Sequence, residues 1–353
     1  MKDLSDYKQE LNMCSKCGLC QAACPIYKIT KNDCSVSRGQ FIMLQGLLKG
    51  QLKLTKKINY YIDLCLKCGA CSKFCPSGID AVDVMLAAKS EVFKNSLFEK
   101  TISLIQKFVI NHLLKLPVLF KPKYKTKNFE KKVLYFGGCG SKLNGADSVI
   151  KILNLANIEV LTPDFNCCGI PFLMRGDKES FCKYLENFIK TIESCSVREI
   201  VTTCASCEKT LRDYMKFSNN PVLKELKIKN IYEYLRENNL QLSLKKTTRV
   251  TFHKPCNVDN YEDIKLLLEN IKNLHYVEMN DFDACCGLNG ILKFDKYNVL
   301  TKLFKAKRKN ILDTNCNIVL TSCLGCEVAL KSYSLNNYRV YDLISFLAKN
   351  LYE

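Results

Sequence analysis

Two internal duplications of cysteine constrain this chain more than any other feature. Cys14, Cys17, Cys20 and Cys24 are followed by Pro25, and the same C-x2-C-x2-C-x3-C-P run returns as Cys65, Cys68, Cys71, Cys75 and Pro76, each residue displaced by 51 positions. Further on, Cys139, Cys167-Cys168-Gly169 and Cys204-x2-Cys207 are answered by Cys256, Cys285-Cys286-Gly287 and Cys323-x2-Cys326, displaced by 117 to 119 positions. A chain that carries each pattern twice is expected to fold as repeated units shaped around converging sulfur atoms. Its remaining composition is ordinary: 353 residues, 47% hydrophobic and 25% charged. That excludes wholesale disorder and leaves room for two to three domains at roughly 150 residues each.

The start, Met1-Lys2-Asp3-Leu4-Ser5-Asp6, lacks the basic stretch and apolar run of a secretory leader, so a reducing cytoplasmic setting is expected. There, 22 cysteines point to metal or redox chemistry rather than a disulfide framework. No run of about 18 uncharged apolar residues suggests a membrane span. The nearest, Ile102–Phe120, is interrupted by Lys107, Asn111, His112, Lys115 and Pro117. A soluble protein, or one peripheral on the inner face of the membrane, is the expectation. Net charge is +18, yet only eight basic residues are Arg and there is no Trp, which argues against sequence-specific nucleic-acid readout. The excess suits solubility, an anionic membrane face or an acidic partner.

Patterning predicts an α + α/β chain. Gln40–Leu54 is apolar at helical spacing and Asp80–Phe93 reads as another helix, so residues 1–100 are expected to form a helical two-cluster ferredoxin domain. Residues 101–132 hold eight Lys against one Glu. They read as a basic amphipathic helix (Ile105, Phe108, Val109, His112, Leu116) and a solvated linker over 121–132, with docking on an anionic membrane as the alternative. From residue 133, strand and helix signals alternate twice. Strands are expected at 133–136, 159–161, 199–203, 249–252, 275–279 and 318–321, and helices at 147–156, 180–194, 261–271 and 297–313. Two duplicated α/β Cys-rich domains, 133–245 and 246–353, follow, each with its cysteines just past strands.

The first duplication is iron–sulfur chemistry. Three thiolates spaced by two residues wrap one cubane [4Fe–4S] cluster, and the fourth cysteine of such a run ligates the other cluster. Cys14, Cys17, Cys20 and Cys75 are thus expected at one cluster, and Cys65, Cys68, Cys71 and Cys24 at the second. Gly18 and Gly69 allow close backbone approach. Zinc, which takes two C-x2-C pairs across a longer loop, fits poorly. The second duplication offers five cysteines per set, one too many for tetrahedral zinc. Soft thiolate ligation there leaves iron–sulfur, structural zinc and redox-active disulfides open.

Both C-x2-C-x2-C-x3-C-P runs, Ser37-Arg38-Gly39, Cys167-Cys168-Gly169-Ile170-Pro171, His253-Lys254-Pro255-Cys256 and Cys285-Cys286-Gly287 together resemble the Cys-rich "CCG" iron–sulfur family. That family includes iron–sulfur subunits of glycolate and lactate oxidases, the small subunit of anaerobic glycerol-3-phosphate dehydrogenase, and a heterodisulfide reductase subunit. The resemblance implies two noncubane [4Fe–4S] clusters, one on Cys139, Cys167, Cys168, Cys204 and Cys207, the other on Cys256, Cys285, Cys286, Cys323 and Cys326. Asn257 stands where the family often has a second His. Eighteen bound thiolates would bring the net charge down to about +8. Cys34, Cys182, Cys195 and Cys316 remain and are expected to be small buried hydrophobes.

Phe136-Gly137-Gly138-Cys139-Gly140 imitates a dinucleotide loop, but Leu143 occupies the third glycine position and the fingerprint fails. His253 is expected to tune a cluster or to be a satisfied core histidine. His112 and His275 read as structural, and Arg38 as a local ion-pair partner. By resemblance, the leading expectation is an electron-transfer subunit of a glycolate, lactate or glycerol-3-phosphate dehydrogenase. It would take electrons from an FAD-containing dehydrogenase subunit towards membrane quinone or a membrane-anchored subunit, with no nucleic-acid partner. The alternatives are disulfide cleavage of the heterodisulfide-reductase type and a zinc-stabilised scaffold.

Overall fold

The computed structural model describes residues 1–113, 128–139, 145–238, 240–258, 260–288 and 299–352. The chain divides into two compact units. The first gathers Met1–Gln106, Pro171–Phe181 and Ala284–Ala306, and the second Lys107–Ile170, Cys182–Asp283 and Lys307–Glu353.

The first unit is helical. Ser37–Leu48, Lys56–Leu64, Ala81–Lys94 and Leu97–Phe108 are its longer N-terminal helices. The first three pack Phe41, Leu44, Ile62, Val84, Met85 and Ala88 into one core with Leu11. Thr55 and Asp80 cap two of these helices, their side-chain oxygens accepting the amides of Ile58 and Val82, which satisfies donors the first turn leaves open. The helix expected over 40–54 starts earlier and stops at Leu48, because the amides of Gln51 and Leu52 turn back to the Gly46 carbonyl.

A buried ionic network ties three parts of this unit. The wholly buried Lys89 pairs with Asp63 and with Glu99 at 2.8 Å. Arg175 pairs with Glu99 and donates to Gln106 Oε1, and Ser103 donates to Asp177. Glu99, Ser103 and Gln106 all lie on the helix Leu97–Phe108, so that helix buries its polar face.

The second unit holds two four-stranded parallel sheets. Strands β1 (Lys131–Tyr135), β2 (Ile158–Leu161), β3 (Glu199–Thr202) and β4 (Lys227–Asn230) lie in the order β2-β1-β3-β4. Strands β5 (Ser243–His253), β6 (Lys272–Tyr276), β7 (Ile318–Thr321) and β8 (Arg339–Asp342) repeat it as β6-β5-β7-β8. Val133 sits opposite Val160, Leu134 opposite Ile200, and Thr251 opposite Val319. One continuous core serves both sheets, joining Val133, Ile152, Val201, Tyr232 and Leu235 to Val250, Phe252, Leu268, Leu320 and Leu347.

Several expected boundaries are corrected. The strand expected at 249–252 begins at Ser243, and the one expected at 275–279 ends at Tyr276, where pairing with Arg249 and Val250 fixes its register. Helices occupy Gly145–Leu155, Lys178–Glu193, Glu262–Asn270 and Val299–Leu312; residues 297–298 of the fourth expectation lie outside the described residues. The basic helix starts at Leu97 rather than 101 and continues through a wide turn at Val109–Leu113. Leu116 and most of the expected linker fall outside the described residues. Among those described, no helix is long and apolar enough to cross a membrane.

The network sets a stability prediction. Glu99→Gln leaves the buried Lys89 and Arg175 short of their shared counter-charge, a loss of about 3–5 kcal/mol. Urea unfolding should show the midpoint falling accordingly, and an unchanged midpoint would mean that the network contributes little.

Candidate metal centres

Each N-terminal cysteine run folds with the same backbone. Lys16 and Gly18 in the first, and Lys67 and Gly69 in the second, all have positive φ (58°, 86°, 53° and 77°). This alternation curls a C-x2-C-x2-C segment around a point so that its sulfurs converge, and Gly18 and Gly69 meet the left-handed requirement without a Cβ penalty. Cys24 then caps the helix Pro25–Thr30, its Sγ accepting the Tyr27 amide at 3.4 Å. Pro25 stands at the first helical position, where its missing N–H costs nothing.

The two runs cross. One cavity is lined by Cys14, Cys17, Cys20 and Cys75, with Cys71 also in its wall. A second is lined by Cys24, Cys65, Cys68 and Cys71. Ser37, Cys71 and Ala81 border both cavities. Five thiols around the first and four around the second, in mainly apolar surroundings, suit a multi-iron centre. Ser37 and Arg38 show why Ser37-Arg38-Gly39 accompanies the runs: the Ser37 hydroxyl donates to Cys71 Sγ at 3.2 Å, and the Arg38 backbone amide donates to the Cys20 thiol. Sequence reasoning gave Ser37 no role; its place two residues before Gly39, in the motif it had already singled out, was the available signal.

Burial dominates the acidity of these thiols. It pushes Cys68 up to about 12, with the neighbouring Cys285 adding to the rise. It pushes Cys71 up to about 11 against the opposing Ser37 hydrogen bond, and raises Cys20 and Cys24 as well. Lys67, buried beside them with its ammonium on the Cys65 carbonyl at 3.3 Å, has its pKa lowered by the same desolvation. Cys285 belongs to this unit too. It packs with Cys24, Cys68, Ile26, Leu64 and Leu303.

In the second unit the cysteines follow the carboxyl ends of central strands. Cys139 comes after β1 and Cys204 after β3, and Cys256 after β5 and Cys323 after β7. In both sheets these are the adjacent strands at which the connection reverses direction, where open α/β sheets bind ligands. Cys204 and Cys323 sit at the N-caps of the helices Ala205–Asp213 and Leu324–Ser332, so Cys207 and Cys326 fall in the first turns; hydrogen bonds with Cys168 and Cys204, together with burial, push Cys207 well above the usual thiol range.

The thiols meet one another across the repeat. Cys139 contacts Cys167, Cys167 contacts Cys168, Cys168 contacts Cys207, and Cys207 contacts Cys204, which in turn hydrogen-bonds Cys323, a neighbour of Cys326. Donation from Cys167 and Cys207 holds Cys168 well below the usual thiol range. Cys204, Cys326 and Ser206 do the same for Cys323. Gly138 has φ +57°, and a Cβ there would stand 3.0 Å from Cys207 Sγ, so glycine keeps this sulfur open. The Cys-Cys-Gly segments also match: Gly169 N donates to Cys167 Sγ and Gly287 N to Cys285 Sγ. Cys285 and Cys286 fall in the first unit, and Cys256, Cys323 and Cys326 in the second.

Asn257, the departure from the family pattern, is engaged. Its Nδ2 donates to Ser206 Oγ at 3.1 Å, and Ser206 Oγ lies 3.4 Å from Cys323 Sγ. His253 is wholly buried, and neither ring nitrogen has a hydrogen-bond partner among the described residues; burial holds it neutral, its pKa well below the usual histidine value. The expectation that His253 is a satisfied core residue is thereby corrected. Of the four remaining cysteines only Cys316 is buried, and Cys34, Cys182 and Cys195 are half-buried. All 22 cysteines are free thiols.

A 4Fe-4S dicluster domain matches residues 10–79, and a Cysteine-rich domain, CCG, matches residues 133–212 and again 250–331. The chain belongs to this CCG iron–sulfur family, as a helical ferredoxin-like region followed by two parallel α/β regions, and it binds iron–sulfur clusters. Two relatives illustrate the family. The probable glycolate oxidase iron-sulfur subunit of Bacillus subtilis is 23% identical, over 91% of this chain and 88% of its own length. A dihydromethanophenazine:CoB–CoM heterodisulfide reductase subunit from Methanosarcina acetivorans is 23% identical, over 90% and 88%. A crystal structure of a hypothetical protein from Helicobacter pylori shares the fold with a TM-score of 0.50 at 12% identity, covering 88% of this chain and 67% of that one.

Raised thiol pKa values make iron loading pH-dependent. At neutral pH the buried Cys68 and Cys71 are protonated, so iron must displace their protons. Anoxic reconstitution with ferrous salt and sulfide should therefore release protons and run faster as pH rises from about 7 towards 8.5, the ordinary thiol range. A pH-independent rate would show that the sulfurs are already ionised in the folded chain.

Proposed function

We propose that this protein is the electron-transfer subunit of a flavin-dependent dehydrogenase complex acting on a 2-hydroxy acid, such as glycolate or lactate, or on glycerol 3-phosphate. The partner is an FAD-containing dehydrogenase subunit, and the electrons leave towards quinone or a membrane-anchored subunit. The proposed domain division is 1–100 ferredoxin, 101–132 basic helix and linker, 133–245 and 246–353 CCG, with each cut moved to the nearest element end, since 100/101, 132/133 and 245/246 fall inside the helix Leu97–Phe108, β1 and β5. Cys14, Cys17, Cys20 and Cys75 hold one cubane [4Fe–4S] cluster, and Cys24, Cys65, Cys68 and Cys71 the other. The two five-cysteine sets, Cys139, Cys167, Cys168, Cys204 and Cys207, and Cys256, Cys285, Cys286, Cys323 and Cys326, hold noncubane clusters. When bound, these groups supply one-electron redox chemistry.

The observation that carries this reading is the sharing of walls within the first unit. The two cysteine-lined cavities have Ser37, Cys71 and Ala81 in common, and Cys285 of a CCG set packs beside Cys68 of the second cavity. The chain's residues thus bring the sulfur sites close, exclude water with Ile26, Leu64 and Leu66, and direct hydrogen bonds from Ser37 and the Tyr27 and Arg38 amides at ligand sulfurs. Such donors and the local charge of Lys67 set the potentials. The names of the relatives, an iron–sulfur subunit and a reductase subunit, support a role inside a larger complex.

Continuous thiol contact from Cys139 to Cys326 favours a second reading, reductive cleavage of a small disulfide to two thiols at the cost of two electrons and two protons. Adding a disulfide to the reduced protein should then give a new paramagnetic species, and an unchanged spectrum removes this reading.

Two experiments test the leading proposal. Cys24→Ser and Cys65→Ser should abolish the same paramagnetic signal and each remove about four irons, although Cys24 belongs to the other sequence run; loss of the Cys14→Ser signal instead would refute the crossing. Anoxic affinity purification should recover a flavoprotein whose 2-hydroxy-acid or polyol-phosphate substrate reduces these centres. Recovery without flavin, or a flavoprotein that leaves the centres oxidised, would overturn the function.

A further inference from the structure

The helix Leu97–Phe108 is packed inside out. Its buried residues are Glu99, Ser103 and Gln106, engaged with Lys89, Arg175 and Asp177. Its apolar side chains face solvent: Leu97 is 82% exposed, Leu104 67%, Phe108 57%, Phe98 55% and Ile105 47%. Positions 97, 101, 104, 105 and 108 form one stripe at helical spacing, and its most exposed members are leucines. Folding alone gives no reason for such a face. Contiguous exposed apolar surface of this kind marks an interaction site.

The charge around the stripe decides what covers it. Helical spacing puts Lys100 and Lys107 beside it, one turn before and one turn after Leu104, and the helix's sole acidic residue, Glu99, is buried. No Arg occurs between Arg38 and Arg175, and residues 101–132 carry eight Lys against one Glu. Protein–protein interfaces favour Arg and are depleted of Lys. Anionic lipid attracts either, and lysine stems can lie along acyl chains while the ammonium reaches the headgroups. An apolar helical stripe flanked by Lys100 and Lys107 combines buried apolar area with attraction to anionic lipid, the two terms on which interfacial binding of a helix depends.

We infer that the outward stripe of the helix Leu97–Phe108 docks this protein on an anionic membrane surface, lying in the headgroup region rather than crossing it. The inference stands on the helix and its flanking charge and does not depend on the cluster assignments or the dehydrogenase partner.

The test is flotation of the full-length, iron-loaded protein, kept anoxic, with phosphatidylcholine vesicles with and without phosphatidylglycerol. The protein should float with the anionic vesicles and bind at least about tenfold more weakly to neutral ones or at high salt. The double variant Leu104→Glu/Ile105→Glu should lose at least about tenfold of the binding while keeping its iron content and melting temperature. Failure to float with anionic vesicles overturns the inference, as does a double variant that floats like the wild type. A double variant with lowered melting temperature or iron content also overturns it, since the stripe would then be covered by this chain itself.

Discussion

Everything in this protein is arranged around the cost of putting sulfur in a dry place. A buried thiol resists ionisation, as Cys68 and Cys71 show, and a cavity lined by four such thiols gains nothing from their mutual proximity until a cation replaces the protons. The positive-φ turns at Lys16, Gly18, Lys67 and Gly69 are unfavourable for lysine in isolation. They persist because the surrounding helices and their core over-determine the loop. The ferredoxin-like unit is therefore a scaffold whose helices exist to hold two short irregular segments in one conformation, and binding of metal adds stability that the apolar core alone does not provide.

The α/β unit solves the same problem with different means. Its sulfurs stand at the ends of β1, β3, β5 and β7, and helix N-termini rather than irregular loops turn Cys204 and Cys323 inwards. Placing the first cysteine of each C-x2-C at an N-cap lets the dipole offset part of the desolvation that a thiolate would otherwise bear. The two thiols driven down, Cys168 and Cys323, are each flanked by thiols on both sides, so acidity there comes from donation within the sulfur chain. Asn257 and Ser206 extend that donation into the second repeat.

The duplicated spacing made the fold class readable, because a repeat displaced by a nearly constant number of residues implies a repeated backbone. Cys24 and Cys75 each line the cavity of the opposite run; Cys24-Pro25 opens the helix Pro25–Thr30, whereas after Cys75-Pro76 the next helix begins only at Ala81. Two strands escaped. Lys-Ile-Lys-Asn at β4 and Arg-Val-Tyr-Asp at β8 are short sheet edges with little buried apolar surface, and such strands carry weak periodicity. The assignment of residues 171–181 and 284–306 to the helical unit was not readable either. It depends on long-range contacts, such as Arg175 with Glu99, that no local pattern announces.

The inversion of the helix Leu97–Phe108 follows from that same network. Once Lys89 is buried by the packing of Ala81–Lys94, its charge requires carboxylates beside it; Asp63 and Glu99 supply them, and Glu99 also pairs with Arg175. On a helix, committing Glu99, Ser103 and Gln106 to the interior forces Leu97, Leu104 and Phe108 outward by geometry. An apolar arrangement of similar volume would serve stability at least as well as a buried ionic cluster. What the ionic version adds is orientation: it fixes which side of the helix faces out. The network is thus best understood as the element that holds an adhesive surface in place at the edge of the helical unit.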